Sequence, residues 1–313
     1  MKKICFLLAV ILLALSFASC SGNDVTTTNN PNNDVTTAPE KKILSVEEMT
    51  ELKSVKSVIK NEEHSGNGCL IYDIVFDFDG VIIDAQMAIP EDYSTKNYIT
   101  MLYFPDVRLD YQYLSFYATS GYTIIRFGYR SDKNETQKRD YCGEDYNDVK
   151  SFFEACKGCD FLSRGGFGVI GSAEGSVRAL MLARDYPNDI LGCAVIDVIS
   201  DIESYIEFRG EGIRQLYEYR IGYSIEEKPE EYQKRSPVYF ADEIGVPVLI
   251  FAYNNSPLIP MEQATVLKDA ISDGGGSCEL KVLYELSSDF MTESSVLVML
   301  PWITELRSLN GYA

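Results

Sequence analysis

Eight residues from Val169 to Ser176, VIGSAEGS, constrain the fold more than any other stretch of this sequence. A short apolar run, FGVIG, ends within them, and a helical pattern starts at Gly175. A strand that turns so abruptly into a helix brings backbone close to backbone, which the glycines at 171 and 175 permit. Ala173 stands at the centre of the turn. Such strand–turn–helix units are typical of a parallel sheet covered by helices.

Strands and helices alternate along most of the chain. The predicted strands are the runs LIYDIVFDF, VIIDAQMAI, NYITMLYF, GYTIIRFGY, FGVIG, CAVIDVI, VPVLIFAY and CELKVLYEL. The predicted helices cover 145–156, 175–186, 260–271 and the C-terminal run TESSVLVMLPWITELRSL, which Pro301 is expected to interrupt or kink. Asp79-Gly80 joins the first two strands as a hairpin. The sequence therefore predicts an α/β protein with a mostly parallel central sheet, an N-terminal antiparallel hairpin and a helical cap at 200–244.

The N-terminus has the pattern of an export signal. Two lysines precede an apolar run that ends at position 17, and the triplet ASC follows and ends at Cys20. The pattern resembles a bacterial lipoprotein signal, which predicts a signal peptide at 1–19, lipid on Cys20, and an anchored protein on the cell-surface or periplasmic face of a membrane. A plain secretory signal with an incidental cysteine is the alternative. Residues 20–42, rich in Asn and Thr, are predicted to be a flexible linker before a folded domain at 43–313.

The charge balance limits the class of partner. The net charge of −19 at pH 7 disfavours nucleic acid and anionic membrane surfaces. No metal or cofactor is predicted, because the pair Cys156 and Cys159 precedes a strand and the single histidine, His64, lies far from it in sequence. A local disulfide and buried thiols both remain open for that pair. The remaining cysteines of the predicted domain are Cys69, Cys142, Cys193 and Cys278.

Five segments occur in the order in which one hydrolase family arranges them. They are GYTIIRFGYR, GEDYNDVKSFFEAC, FGVIGSAEGSVRALMLARDYPNDILGCAVID, YQKRSPVYFADEIGVPVLIF and IPMEQATVLKDAISDGGGSCELKVLYE. From about Asp73 to Leu306 the chain thus resembles the α/β-hydrolase domain of the prolyl oligopeptidase and dipeptidyl peptidase family. The resemblance implies an α/β-hydrolase fold, the chemistry of a serine peptidase, and a nucleophile elbow at VIGSAEGS.

The catalytic positions of that family carry unsuitable residues in this chain. The resemblance places Ala173 at the serine nucleophile, Ser256 at the acid and Asp289 at the histidine. The segment expected to form the oxyanion hole reads YFPD, from Tyr103 to Asp106. Acyl transfer by this mechanism needs a hydroxyl, an imidazole base and an orienting carboxylate. The chain is therefore predicted to be an inactive pseudo-hydrolase, and an active peptidase or esterase with a non-standard site is the alternative.

Polar residues at the carboxyl edge of the predicted sheet form either an acidic pocket for a peptide, an amine-bearing ligand or a cation, or a solvated rim without a ligand. Besides the three catalytic positions they are Ser172, Glu174, Asn254, Asn255 and Tyr103. Tyrosines between 205 and 239 line this pocket or serve as half-buried packing residues. Ser172 and Ser176 are the possible substitute nucleophiles, but each lacks a base because His64 precedes the whole sheet.

The run VFDFDGVIID also matches the first motif of haloacid-dehalogenase-type phosphatases. In that interpretation Asp77 accepts the phosphoryl group, Asp79 is the acid–base catalyst, and further carboxylates bind Mg²⁺. No acid directly follows VPVLIFAY, where such a carboxylate is needed. A hairpin at Asp79-Gly80 is the preferred interpretation, and the phosphatase is the second alternative.

Overall fold

The structure is a computed structural model that describes residues 42–105, 111–130, 138–284 and 293–311. The predicted signal peptide, Cys20, the linker up to residue 41, Asp106 and Asp289 lie outside these ranges. Within them the strands form one nine-stranded sheet. The strands are β1 (Val55–Lys60), β2 (Cys69–Phe78), β3 (Val81–Pro90), β4 (Ile99–Phe104), β5 (Tyr122–Phe127), β6 (Phe167–Ser172), β7 (Ile190–Ile196), β8 (Val248–Tyr253) and β9 (Cys278–Leu283).

The strand order across the sheet is β1-β2-β3-β5-β4-β6-β7-β8-β9. The pairs from β1 to β5 in this order are antiparallel, and all pairs from β5 to β9 are parallel. The predicted fold class, a mostly parallel sheet preceded by an antiparallel hairpin, is therefore confirmed.

The hairpin turn between β2 and β3 tests the interpretation of Asp77 and Asp79 as phosphatase catalytic residues. Asp79 and Gly80 have φ values of 53° and 91°, as a two-residue type I′ turn requires. The carboxylate of Asp77 accepts a hydrogen bond from the N–H of Gly80 at 2.7 Å. Asp77 and Asp79 thus belong to an antiparallel turn and not to the end of a central parallel strand. The phosphatase interpretation is wrong.

Helices cover both faces of the sheet. Those of the described residues are α1 (Tyr111–Thr119), α2 (Tyr146–Lys157), α3 (Asp160–Ser163), α4 (Glu174–Asp185), α5 (Ile202–Arg209), α6 (Glu211–Ile221), α7 (Pro229–Gln233), α8 (Met261–Asp273) and α9 (Glu293–Leu309). Among these residues, no helix is long and apolar enough to cross a membrane. Helix α9 continues through Pro301, so the expected interruption does not occur. The buried side chains of Met299 and Ile303 on either side of the proline hold the helix against the sheet.

Side chains of the parallel strands are buried alternately on the two faces. In β4, Leu102 joins the core cluster that contains residues of α2, α4 and α8, whereas Tyr103 joins the cluster that contains residues of α1 and α9. Cys156 and Cys159 belong to the first cluster as free, fully buried thiols, so the local disulfide is not formed. This packed sheet positions the carboxyl ends of β6, β7 and β8 at one edge.

The segment predicted as a cap is helical. It contains α5, α6 and α7, followed by two short 3-10 helices at Pro237–Tyr239 and Ala241–Glu243. Apolar residues of the cap form a third buried cluster, and that cluster includes Ala173. The cap therefore packs directly on the turn between β6 and α4.

Candidate functional site

The turn between β6 and α4 has the backbone of a nucleophile elbow. Ala173 adopts φ 46° and ψ −117°, a conformation that costs a residue with a Cβ on the order of 1–3 kcal/mol. A Cβ on Gly175 would overlap the carbonyl oxygen of Phe104, and one on Gly171 would overlap the backbone of Gly175 and Ser176. The two glycines are therefore required by close backbone approach, as the sequence predicted. The strained turn is present, and its central residue carries a methyl group instead of a hydroxyl.

The hydroxyls of Ser172 and Ser176, which precede and follow Ala173 in the sequence, do not reach the surface. Ser172 is fully buried, and its Oγ lies 3.2 Å from the hydroxyl of Tyr103, which is also fully buried. Ser176 is fully buried as well, and its Oγ has no hydrogen-bond partner among the described residues. Ser172 and Tyr103 belong to the core beneath the turn and not to the wall of a pocket. A substrate carbonyl cannot reach these hydroxyls without displacing the core.

Tyrosines fill the space above Ala173. The rings of Tyr141 and Tyr217 are stacked, with centroids 4.3 Å apart and planes 11° apart, and Tyr205 packs on Tyr217 with a centroid distance of 6.3 Å. All three join Ala173 in one buried cluster. The cavity that remains beside the turn has a volume of about 10 Å³, enough for about one water molecule. Its lining residues are Tyr141, Cys142, Glu174, Val177, Ile202, Tyr217 and Arg235.

Glu174, the first residue of α4, lies close to an arginine of the segment before α2. Its carboxylate lies 3.9 Å from the guanidinium of Arg139. The guanidinium of Arg220, in α6 of the cap, lies 5.3 Å from the centroid of the Tyr141 ring. Burial raises the pKa of Tyr141, and the adjacent carboxylate of Glu174 raises it further. Glu174 thus lies next to Tyr141, whose ring stacks on Tyr217 of the cap.

Ser256, at the position expected for the acid, lies against a carboxylate from the neighbouring strand. Asp197 directly follows β7, has φ 46°, and accepts a hydrogen bond from the N–H of Tyr253 at 3.0 Å. Burial raises the pKa of Asp197, whereas the bonds from Tyr253 and from the Ser256 hydroxyl partly lower it. Asn254 and Asn255 are exposed beyond β8. None of residues 254–256 lines the cavity beside Glu174, so among the described residues that cavity does not unite the predicted set.

Comparisons with known proteins bear on the fold. No family model matches the chain. An uncharacterized peptidase, YtmA, of Bacillus subtilis strain 168 is 21% identical over 155 residues, which are 50% of this chain and 60% of that relative. The chain therefore spans less than two thirds of the curated relative it matches.

Solved structures with the same fold include both peptidases and esterases. A dipeptidyl peptidase 4 from Porphyromonas gingivalis superposes with a TM-score of 0.58 at 13% identity, over 76% of this chain and 35% of that chain. Acylaminoacyl peptidase from Pyrococcus horikoshii gives 0.59 at 15% identity, over 82% and 43% of the two chains. Acetyl xylan esterase 1 from Thermoanaerobacterium sp. JW/SL YS485 gives 0.63 at 15% identity, over 83% and 90%.

This chain has an α/β-hydrolase fold. In a hydrolase of this fold the elbow serine needs an imidazole, and the sequence contains one histidine. That residue, His64, lies between β1 and β2 and stacks on the ring of Tyr111 with centroids 4.1 Å apart. Three strands, β3, β5 and β4, separate β2 from β6 in the sheet. His64, the single histidine of the sequence, therefore does not lie at the elbow.

A buried ion pair holds the segment before α2 against the elbow helix of the hydrolase fold. Arg178 in α4 donates to the carboxylate of Asp145 at 2.9 Å, and the two side chains are 1% and 4% exposed. The guanidinium of Arg178 also lies 4.4 Å from the centroid of the Tyr129 ring. Burial by itself raises the pKa of Asp145, but Arg178 and hydrogen bonds outweigh burial, so that pKa lies below its ordinary value.

The same ion pair maintains a strained backbone. Asp145 accepts a hydrogen bond from the N–H of Cys142 at 2.8 Å. Tyr141 and Cys142 have φ values of 52° and 69°, in the left-handed region that residues other than glycine rarely adopt. The pair between Arg178 and Asp145 thus fixes the conformation that places Tyr141 over Ala173. Sequence reasoning missed this pair, although an arginine on the apolar face of a predicted helix was a usable signal.

Proposed function

We propose that this chain is a lipid-anchored, exported pseudo-hydrolase that binds a ligand or a protein partner without hydrolysing it. One observation carries the proposal: the elbow backbone is present at Ala173, and tyrosines of the cap and of the preceding segment occupy the space above it. A strained turn that still costs free energy but presents only a methyl group indicates a fold retained for another purpose.

The chemistry of the described groups supports the absence of hydrolysis. A methyl group has no lone pair, and a serine hydroxyl without a base is a poor nucleophile. Asp197, a carboxylate that contacts Ser256 at the expected acid position, accepts bonds from Tyr253 and Ser256 inside the structure and is 4% exposed. A carboxylate, the group that Asp289 supplies at the position expected for the histidine, is normally also a much weaker base than imidazole. No catalytic pair can therefore be assembled from these groups.

The hydrolysis test uses a fluorophosphonate probe together with ester and peptide substrates. We expect neither the wild-type chain nor Ala173→Ser to be labelled, because the added hydroxyl would lack a base and would lie beneath Tyr141 and Tyr217. The triple variant Ala173→Ser, Ser256→Asp, Asp289→His is the smallest change that supplies a complete set of triad residue types, and we expect feeble turnover from it. Ester turnover by the wild type that Ser172→Ala or Ser176→Ala abolishes would refute the proposal and support an active enzyme with a non-standard site.

The anchoring proposal rests on the N-terminal pattern that ends at Cys20, and it has its own test. Metabolic labelling with palmitate should mark the wild-type protein, and Cys20→Ala should remove the label because the acceptor thiol is lost. Cys5→Ala, which changes a cysteine inside the predicted signal peptide, is the matched control and should leave the label in place. Equal labelling of wild type and Cys20→Ala would contradict the lipid anchor and favour a plain secretory signal.

A further inference from the structure

A second cavity lies between the cap and the sheet domain, apart from the elbow. It has a volume of about 570 Å³, within the range of about 300–1,000 Å³ typical of small-molecule sites. Residues of α2 and α4 form one wall, and residues of α7 and the following turns form the other. It shares only Cys142 and Arg235 with the small cavity beside Glu174. Arg235 is 5% exposed and is therefore part of the partition between the two cavities.

Most charged side chains around this larger cavity are already paired. The carboxylate of Glu231 accepts from Arg235 and from Lys234, each at 2.8 Å. The guanidinium of Arg184 lies 2.7 Å from Asp185 and 3.8 Å from Glu243. These pairs satisfy one another within the protein, so they do not require a ligand.

Two opposite charges of the lining are not paired in this way. Lys150 in α2 forms no salt bridge with the described residues, and its ammonium lies 5.2 Å from the centroid of the Tyr146 ring. Glu230 in α7 likewise forms no salt bridge or side-chain hydrogen bond with them. The side-chain amides of Asn147 and Gln233, from the same two helices, also lack protein hydrogen-bond partners in the described part of the chain. The wall that contains α2 thus provides a positive charge and an amide, and the wall that contains α7 provides a negative charge and an amide.

From this arrangement we propose that the cavity binds a free amino acid or a short peptide as a zwitterion. Lys150 binds the α-carboxylate, Glu230 binds the α-ammonium, and the amides of Asn147 and Gln233 complete the hydrogen bonds. Tyr239, which is 52% exposed at the rim, provides an aromatic surface for an apolar side chain of the ligand. This inference rests on the proposed function in one respect, because the ligand is bound and released without cleavage.

The test is isothermal titration calorimetry of the full chain with the dipeptide Gly-Tyr, with N-acetyl-Gly-Tyr and with Gly-Tyr amide. We expect the zwitterion to bind about tenfold more tightly than either capped form, because each cap removes one charge. In Lys150→Gln the preference for Gly-Tyr over its amide should disappear, and in Glu230→Gln the preference over the N-acetyl form should disappear. Lys56→Gln and Glu207→Gln change exposed residues outside the cavity and should leave both preferences intact.

Three results would refute the proposed binding site. They are no heat of binding up to millimolar dipeptide, equal affinities for the free and capped forms, or an equal loss of the charge preferences in the control variants. Chromatography of the recovered dipeptide separates this inference from the proposed function. Intact dipeptide with the expected charge preferences supports both. Release of glycine and tyrosine would refute the proposed function, whereas the charge preferences would still establish the site.

Discussion

Replacing Arg178 by methionine tests the buried ion pair that holds the segment 138–145 over the elbow. Methionine keeps most of the side-chain volume and removes the guanidinium, so Asp145 would retain its burial and its bond from Cys142 without a counter-charge. Breaking a buried pair by removing one partner typically costs about 3–5 kcal/mol. The contact between the guanidinium and the Tyr129 ring is lost as well. We therefore expect the free energy of unfolding to fall by about 3–5 kcal/mol.

The assay is urea and thermal unfolding monitored by circular dichroism. For a domain of this size, a loss of 3–5 kcal/mol corresponds to a decrease in Tm of about 6–20 °C. Arg214→Met is the matched control, because the pairs of Arg214 with Glu226 and Glu218 are partly exposed and such pairs contribute about 0–1 kcal/mol. The double variant Arg178→Met, Asp145→Asn should recover part of the loss, since the uncompensated charge is gone.

The pH dependence of the unfolding free energy provides an independent test of the ion pair. In the wild type the pKa of Asp145 lies below its ordinary value, so its contribution to stability is present at neutral pH and is lost as the pH falls through the lowered pKa. Without Arg178, burial raises that pKa, and the folded variant binds a proton earlier on acidification. The difference in stability between wild type and Arg178→Met should therefore shrink as the pH falls from 7 towards about 3. A loss no larger than that of Arg214→Met, or a difference independent of pH, would refute this account of the pair.

Two further predictions concern Asp197, which directly follows β7, and Gly175, in the first turn of α4. Burial raises the pKa of Asp197, so the wild type loses stability as the pH rises from about 4 through that raised pKa. Asp197→Asn should therefore be at least as stable as wild type at pH 7. The stability advantage of the variant should disappear on acidification. Higher stability of the wild type at pH 7 would contradict this. Gly175→Ala places a Cβ on the carbonyl oxygen of Phe104 and should lower the unfolding free energy by about 3 kcal/mol, whereas Gly212→Ala, whose Cβ meets no atom within 4 Å in α6, should raise it by up to about 1 kcal/mol.

The sequence by itself determined the local elements and their order. The hairpin at Asp79-Gly80, the turn at VIGSAEGS and the glycines that permit it depend on a few neighbouring residues, so periodicity and turn chemistry predict them. The same holds for the alternation of strands and helices, from which the mostly parallel sheet follows. The alanine at the position where the resemblance places the serine nucleophile was also visible, since the identity of a residue needs no coordinates.

Only the tertiary structure decided what surrounds that position. Arg178 and Asp145 are 33 residues apart in sequence, and Asp197 meets the N–H of Tyr253 across 56 residues. Such contacts depend on strand order and on the path of the connecting segments, neither of which a hydrophobic pattern encodes. The stacking of Tyr141 on Tyr217 likewise requires the cap to pack on the turn, which brings two separate parts of the chain together. The pattern predicted that Ala173 stands at the position of the serine nucleophile, whereas three-dimensional packing determined that Tyr141, Tyr205 and Tyr217 surround this position.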